Sequence, residues 1–234
     1  MAVLGLAIIV ALTGVMAGLG PRTGLWDFRT GFQILRWAAF GGIAVAILSV
    51  IALLVARPGG PRRGFTAAVV SLAIGLLAFG LPWQQSRIAN SVPLIHDITT
   101  DTENPPEFVA VAPLRADAPN PIAYEGEEIA RQQREGYPDL RPVLLELPMD
   151  RAFQRALDAA EAQGWDIIDA NPQEGRIEAT DRTFWFGFYD DVVIRLTPVN
   201  ARTVVDIRSK SRVGLSDVGA NARRIRGYID DLEG

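Results

Sequence analysis

The sequence predicts an α+β protein in which three transmembrane helices precede an antiparallel sheet covered by two helices. Two observations carry this. The apolar residues gather into three runs without charge: Met1 to Pro21, Trp37 to Ala56, and Gly64 up to Arg87. Beyond residue 140 the hydrophobic period alternates between strand and helix in the order strand, helix, four strands, helix, with turns too short for crossover connections.

Each apolar run approaches the ~20 residues needed to cross a hydrocarbon layer about 30 Å thick. A helix satisfies its own backbone there, so each run is read as a spanning helix. Small residues recur in the runs, among them Gly14, Gly18, Gly41 and Gly42, and allow helices to approach closely. The first run lacks the basic start of a signal peptide, and "MAGLGPRTG" is a poor cleavage site, so a retained helix is expected. The connection "GLWDFRTGFQILRW" sets Trp26, Phe28, Phe32 and Trp37 among Arg and Asp, a composition suited to the headgroup region.

Charge divides the chain. Residues 1–82 carry six Arg and one Asp, a balance of +5, whereas residues 83–234 balance to −9. An acidic domain has no broad attraction for nucleic acid, which is excluded as a partner. Arg57, Arg62 and Arg63 between the second and third runs mark that loop as cytoplasmic. With three spans, the amino terminus is then cytoplasmic as well. The carboxy-terminal domain lies outside, in the periplasm if the membrane is a bacterial inner membrane. The absence of Cys fits a domain large enough to bury its own core.

Three parts follow from this: a membrane anchor over residues 1–83, a proline-rich extended wrap over 84–140, and an α+β core over 141–234, the last two forming one domain. From Val92 to Pro148 lie nine of the fifteen prolines, a density that rules out long helices and central strands. A short helix is expected at residues 126–135 and a strand at 141–148. "MDRAFQRALDAAEAQG" predicts a helix with Asp150 as N-cap and Gly164 at its end. "WDIIDA" and "RIEAT" flank the turn "NPQEG". "DDVVIRL" and "TVVDIRS" pair around a connection from Pro198 to Arg202, and a last helix runs from about Asp217 to Leu232. Strands alternate faces, so Val192, Ile194, Leu196, Val205 and Ile207 point inward. Matching them sets Arg195 opposite Asp206 and Asp191 opposite Lys210, joining opposite charges at both rungs.

"IHDITTDTENPP", "FGFYDDVVIR" and "RSKSRVGLSDVGANARRIR" together closely resemble the bacterial family catalogued as domain of unknown function fourteen-ninety-nine, over roughly residues 92 to 232. The resemblance implies a fold and an envelope setting, with no assigned activity.

Candidate sites are few. One His and no Cys argue against zinc, and the spacing of Asp97, Asp101 and Glu103 lacks the alternation and glycine of a calcium loop. No metal or cofactor is expected. Asp190 and Asp191, adjacent in a strand, face opposite ways and cannot share a proton; inward Asp190 needs a donor. "GLSDVG" is not a nucleophile elbow, and Ser216 reads as an N-cap. Between Arg202 and Arg226 stand seven basic residues against two acidic. His96, Asp101, Arg208, Ser211, Arg212 and Asp217 are therefore the candidate ligand-binding residues, for an anionic small ligand; the alternative is a salt-bridge ladder with Asp217 filling the helix amino terminus. "TFWFGFY" reads as core, or otherwise as a rim touching membrane or a partner. His96 is expected to be a hydrogen-bonding residue of a structural strap. The functional expectation is a non-catalytic binding or scaffolding module whose partners are membrane lipids and an envelope protein. The alternative is an envelope hydrolase or lipid-processing enzyme using His96 with an acidic residue.

Overall fold

A computed structural model describes residues 2–56 and 64–234; Arg57, Arg62 and Arg63, on which the orientation reading rests, lie outside the described residues. The chain forms two compact units. One contains residues 1–88 together with Phe184–Gly187, and the other contains 89–183 and 188–234.

In the first unit, helices α1 (Ala2–Thr23), α2 (Phe28–Val55) and α3 (Phe65–Ala89) are each long and apolar enough to cross a membrane. The second begins nine residues before the charge-free run does. Residues 28–36 are helical despite their arginines, and the connection shrinks to the few residues around Asp27. Asp27 caps α2, its Oδ1 accepting from the amides of Arg29 (2.8 Å) and Thr30 (3.1 Å).

Small residues set the helix crossings. Pro21 has no N–H to offer the carbonyl of Ala17 one turn earlier, and Gly31 of α2 closes on that carbonyl: a Cβ there would sit 2.5 Å from the oxygen. Between α2 and α3, Gly42 and Gly75 face each other, each with a Cβ position 2.8 Å from the other's carbonyl oxygen. Val10 and Val45 fill the space beside these close approaches. Large side chains elsewhere on the helices, such as Leu12 (59% exposed) and Ile47 (56% exposed), are unburied, as a lipid-facing surface requires.

The second unit is a six-stranded antiparallel sheet. Its strands are β1 (Asp97–Thr99), β2 (Val143–Leu145), β3 (Asp166–Asn171), β4 (Arg176–Arg182), β5 (Tyr189–Val199) and β6 (Arg202–Ser211). The spatial order is β1-β6-β5-β4-β3, and β2 shares with β1 the same edge of β6. Helices α5 (Met149–Ala162) and α6 (Ala220–Glu233) cover one face, and α4 (Glu127–Gly136) interrupts the wrap.

The register of the β5–β6 hairpin is the expected one: Ile194 pairs with Ile207, Arg195 with Asp206, Leu196 with Val205 and Asp191 with Lys210. Pro198 and Val199 remain in the strand, however, and the connection is only Asn200–Ala201, with Asn200 at φ +57°. Asn tolerates this left-handed conformation, so the hairpin closes two residues later than the proline suggests. Two caps also differ from expectation. Pro148, not Asp150, precedes α5. Left-handed Gly219 precedes α6, so Ser216 and Asp217 lie before the helix rather than at its first turn.

On the helix side, Val192, Ile194, Leu196, Val205 and Ile207 are buried against Ala156, Ile225 and Leu232. Trp165 stacks on Tyr228 at 5.4 Å. The buried Tyr228 hydroxyl donates to the Ala156 carbonyl (3.0 Å), joining α6 to α5.

"TFWFGFY" is not part of this core. Phe184, Trp185 and Phe186 belong with α1 and α2 instead, Trp185 bonding Val15 of α1 and Phe186 packing on Phe32 of α2.

The glycine crossings predict a contrast between two helical sites. A Cβ at Gly31 would collide with backbone, whereas at Gly80 it would meet nothing within 4 Å. In detergent, Gly31→Ala is expected to lower the thermal midpoint, an overpacking cost of about 1–3 kcal/mol. Gly80→Ala is expected to leave it unchanged or raise it. Equal midpoints for the two variants would contradict the assignment of Gly31 to a crossing.

Candidate functional site

Strand β6 carries two alternating sets of side chains. Ile207, Ser209 and Ser211 face the helices, while Asp206, Arg208, Lys210 and Arg212 face the opposite side, where the wrap lies. Most of this second set is buried, so the sheet is covered on both faces: by apolar helices on one and by an ionic layer beneath proline-rich chain on the other.

Asp97 stands at the centre of that layer. Its Oδ1 accepts from Arg208 Nε (2.9 Å), and its Oδ2 accepts from Arg208 Nη2 (2.8 Å) and Lys210 Nζ (2.9 Å). Asp97 and Lys210 are fully buried and Arg208 nearly so. The remaining donors are spent on the wrap. Arg208 reaches the carbonyls of Pro106 and Ile122, each at 3.0 Å, and Lys210 reaches that of Ala123 (2.8 Å). The Arg208 guanidinium also lies 4.9 Å from the Phe108 ring and 5.4 Å from the Tyr124 ring, both within cation–π range. Burial, followed by the charge of Asp97, pushes the Tyr124 phenol up to about 12.

A second carboxylate repeats the pattern. Asp191 accepts from Arg212 Nε and Nη2 (2.9 and 2.7 Å), from Arg115 Nη1 of the wrap (3.1 Å) and from the Thr180 hydroxyl (2.8 Å). Lys210 is its backbone neighbour but not its partner: the expected Asp191–Lys210 ion pair is absent because Asp97 on the adjoining strand takes the ammonium. Burial lowers the Arg115 pKa against the opposing pull of Asp191. Glu178 of β4 completes the layer, with its carboxylate accepting the consecutive amides of Val109, Ala110 and Val111 at 2.9 Å each. Three aligned backbone N–H groups are a nest for an anion, and here the anion is internal.

On the helix side Asp190 finds the donor it needs in Arg224 Nη2 (2.7 Å), which also holds Asp181 (2.7 Å). Burial disfavours the Arg224 charge, yet Asp190 and Asp181 outweigh it and raise the pKa. Asn221 links Ser209, Ser211 and the backbone carbonyl of His96.

The candidate residues separate into five places. Arg208 and Arg212 belong to the ionic layer and Ser211 to the Asn221 network. Asp217 accepts the amides of Gly219 and Asn221, each at 2.7 Å, and occupies the amino-terminal end of α6 itself; burial raises its pKa. Asp101 accepts the amides of Glu103 (3.1 Å) and Asn104 (2.9 Å) in an Asx turn and pairs with Arg195 (2.9 Å). His96 is 7% exposed; its Nε2 lies 3.1 Å from Glu125 Oε2 without hydrogen-bond alignment. Asp190, Arg212 and Asp217 direct their side chains to other partners: Arg224, Asp191, and the amides of Gly219 and Asn221 respectively. Among the described residues no group of three His, Cys, Asp or Glu is placed to hold a metal ion. A shallow depression of about 120 Å³ is lined by Pro106, Glu107, Glu174, Arg176, Val193 and Arg195, but Arg176 and Arg195 are already paired with acidic side chains there.

Sequence reasoning did not assign Lys210 to Asp97, and it did not single out Arg115, Glu178, Asn221 or Arg224. A signal existed for the first: Arg208, Lys210 and Arg212 at every second position place three cations on one strand face beside a proline-rich segment.

The ionic layer, its wrap and the helix pair together define an α+β domain closed by buried ion pairs. Residues 97–232 match the family described as "Protein of unknown function (DUF1499)", and the chain belongs to that family. No curated protein matches the chain.

Two tests follow from the layer. Asp97→Asn would leave Arg208 and Lys210 buried without their shared counter-charge, and is expected to cost about 3–5 kcal/mol, read as a lower thermal midpoint with earlier proteolysis in the wrap. The second concerns Tyr124, whose proton is held more tightly in the folded chain than at the ordinary phenol value of 10.0. Such a group contributes stability that is complete below pH ~10 and is lost as pH rises through about 12. Tyr124→Phe lacks that loss. Relative to the parent it is expected to gain thermal stability between pH ~9 and ~12, and a constant difference across that range would contradict the burial.

Proposed function

We propose that this is a multi-pass protein of a bacterial inner membrane, with its amino terminus in the cytoplasm. Its domain from residue 89 onward lies in the periplasm and works there as a non-catalytic binding or scaffolding module. The observation that carries the non-catalytic part is the saturation of the candidate residues. Arg208 and Arg212 each hold a buried carboxylate, and Asp217 occupies the helix end that would otherwise attract an anion. A small anionic ligand at these residues would have to displace internal carboxylates. That consideration favours a protein partner on the outer surface of the domain, with membrane lipids around the helices. His96 would serve as the strap residue that brings Glu125 and the chain leaving α3 together, rather than as a general base. A base needs access and a second functional group in reach, and a ring 7% exposed offers little of the first.

Orientation is supported by the three arginines of the loop between α2 and α3 and by the odd number of spans. Alkaline phosphatase fused after Arg87 is expected to be active and a fusion at Gly60 inactive; the reverse pattern would invert the topology. For the role of His96, His96→Gln is expected to lower the thermal midpoint, with any loss of complementation in a deletion strain proportionate to it. Intact stability with abolished complementation would overturn the scaffold reading in favour of an enzyme.

A further inference from the structure

The connection between β4 and β5 is closed at its neck by two hydrogen bonds, from the Thr183 amide to the Phe188 carbonyl and from the Phe188 amide to the Thr183 hydroxyl, both 2.8 Å. Gly187 turns the chain at φ +71°. Between these points stand Phe184, Trp185 and Phe186, and they cluster with the membrane helices. The Trp185 indole N–H donates to the Val15 carbonyl of α1 (3.0 Å). Its ring fills the space left by Gly18, where any Cβ would overlap it. Phe186 lies 4.7 Å, centroid to centroid, from Phe32 of α2, over Gly31. Arg22, in the last turn of α1, donates to the Phe184 carbonyl (2.7 Å) and stands 5.8 Å from the Phe184 ring.

Phe184 itself is 88% exposed. Leaving such a ring in water forgoes the favourable burial of its apolar surface. The neighbouring surface is not a water-facing one. On α1, Leu12, Val15 and Met16 are all exposed large apolar residues, and they belong to a helix that faces lipid. Val15 precedes Arg22 by seven residues, roughly 10 Å along a helix axis, so the indole sits deeper than the arginine. Arg and Trp at a helix end are the composition of the membrane–water boundary. Irregular backbone is tolerated at that depth where its polar groups are satisfied, and Arg22 satisfies the carbonyl of Phe184.

We propose that the β4–β5 turn is a non-helical membrane-contact element, in which Trp185 and Phe186 seat on α1 and α2 and Phe184 enters the acyl-chain boundary of a phospholipid bilayer. This rests on the three helices spanning that bilayer, but not on which side the domain occupies or what it binds.

The chain contains no Cys, so single-cysteine variants carry a nitroxide label at one chosen place. Phe184→Cys, Ile47→Cys on the exposed side of α2 and Asn200→Cys in the β5–β6 turn are compared in the full chain, reconstituted in phosphatidylcholine–phosphatidylglycerol vesicles. The readout is relaxation by oxygen, which concentrates in lipid, against relaxation by a water-soluble nickel chelate. Asn200 follows an 11-residue strand, roughly 35 Å from the β4–β5 turn. The label at 184 is expected to resemble that at 47, with an oxygen-to-nickel ratio several-fold above that at 200. Phe184 is almost fully exposed, so its replacement is expected to preserve the fold, which circular dichroism verifies. A label at 184 that matches 200 while 47 reads lipid overturns the proposal alone. A label at 47 that reads water overturns the membrane anchor and the proposal with it.

Discussion

The domain is organised around one carboxylate. Among the described residues, Asp97 is the carboxylate that Arg208 and Lys210 share, and those two cations in turn hold the carbonyls of Pro106, Ile122 and Ala123. A proline-rich segment cannot form sheet ladders or long helices, so it needs other partners for its backbone if it is to cover a protein face. Here the sheet supplies them: guanidinium and ammonium groups for the carbonyls, and the Glu178 carboxylate for the amides of residues 109–111. In these contacts the charge lies on the strand side and the backbone group on the wrap, whereas Arg115 is the reverse case, a wrap cation held by Asp191 of β5. Buried ion pairs of this kind add little net stability over an apolar core, but they specify where the wrap must sit, because a shift of one residue leaves charges without counterparts.

The edge of the sheet is managed in the same manner. β1 has only three residues, and its free side is closed by a single side chain: buried Gln133 of α4 accepts from the Thr99 amide (2.9 Å) and donates to the Thr99 carbonyl. One amide side chain thus stands in for a neighbouring strand and removes an open edge.

What the sequence made legible was whatever depended on local alternation. The hairpin register of β5 and β6 could be read because two independent patterns, apolar facing and opposite charge, agreed. The partner of Asp191 could not, because alternation tells which side a carboxylate faces but not what covers that side. The covering residue, Arg115, comes from an irregular segment 76 residues away. The start of α2 was missed because absence of charge marks the hydrocarbon core and not the helix, which continues through Arg29 and Arg36 into the interfacial zone. The aromatic run 183–189 left two readings, domain core first and a rim touching membrane or a partner second, for a related reason: hydrophobicity reports that a segment will be buried but not by which unit. For the candidate site, basic clustering drew attention to Arg208 and Arg212, while their neutralisation by Asp97 and Asp191 was visible only in three dimensions.

The chain passes between its two units at three points, after residue 88 and on either side of Phe184–Gly187. The first unit is therefore discontinuous in sequence, with four of its residues supplied by the β4–β5 connection. A gene shortened to the second unit would still encode three adjacent aromatic side chains at a turn, now deprived of the glycine-lined helix surface that receives them, and its product would be inclined to self-associate. The turn and the glycines fit one another sterically, since a Cβ at Gly18 would overlap Trp185 and one at Gly31 would press on Phe186. Within the family, loss of the helices through gene fission would demand a polar turn at the same time, and the character of this one connection should record whether a given lineage ever lived in a membrane.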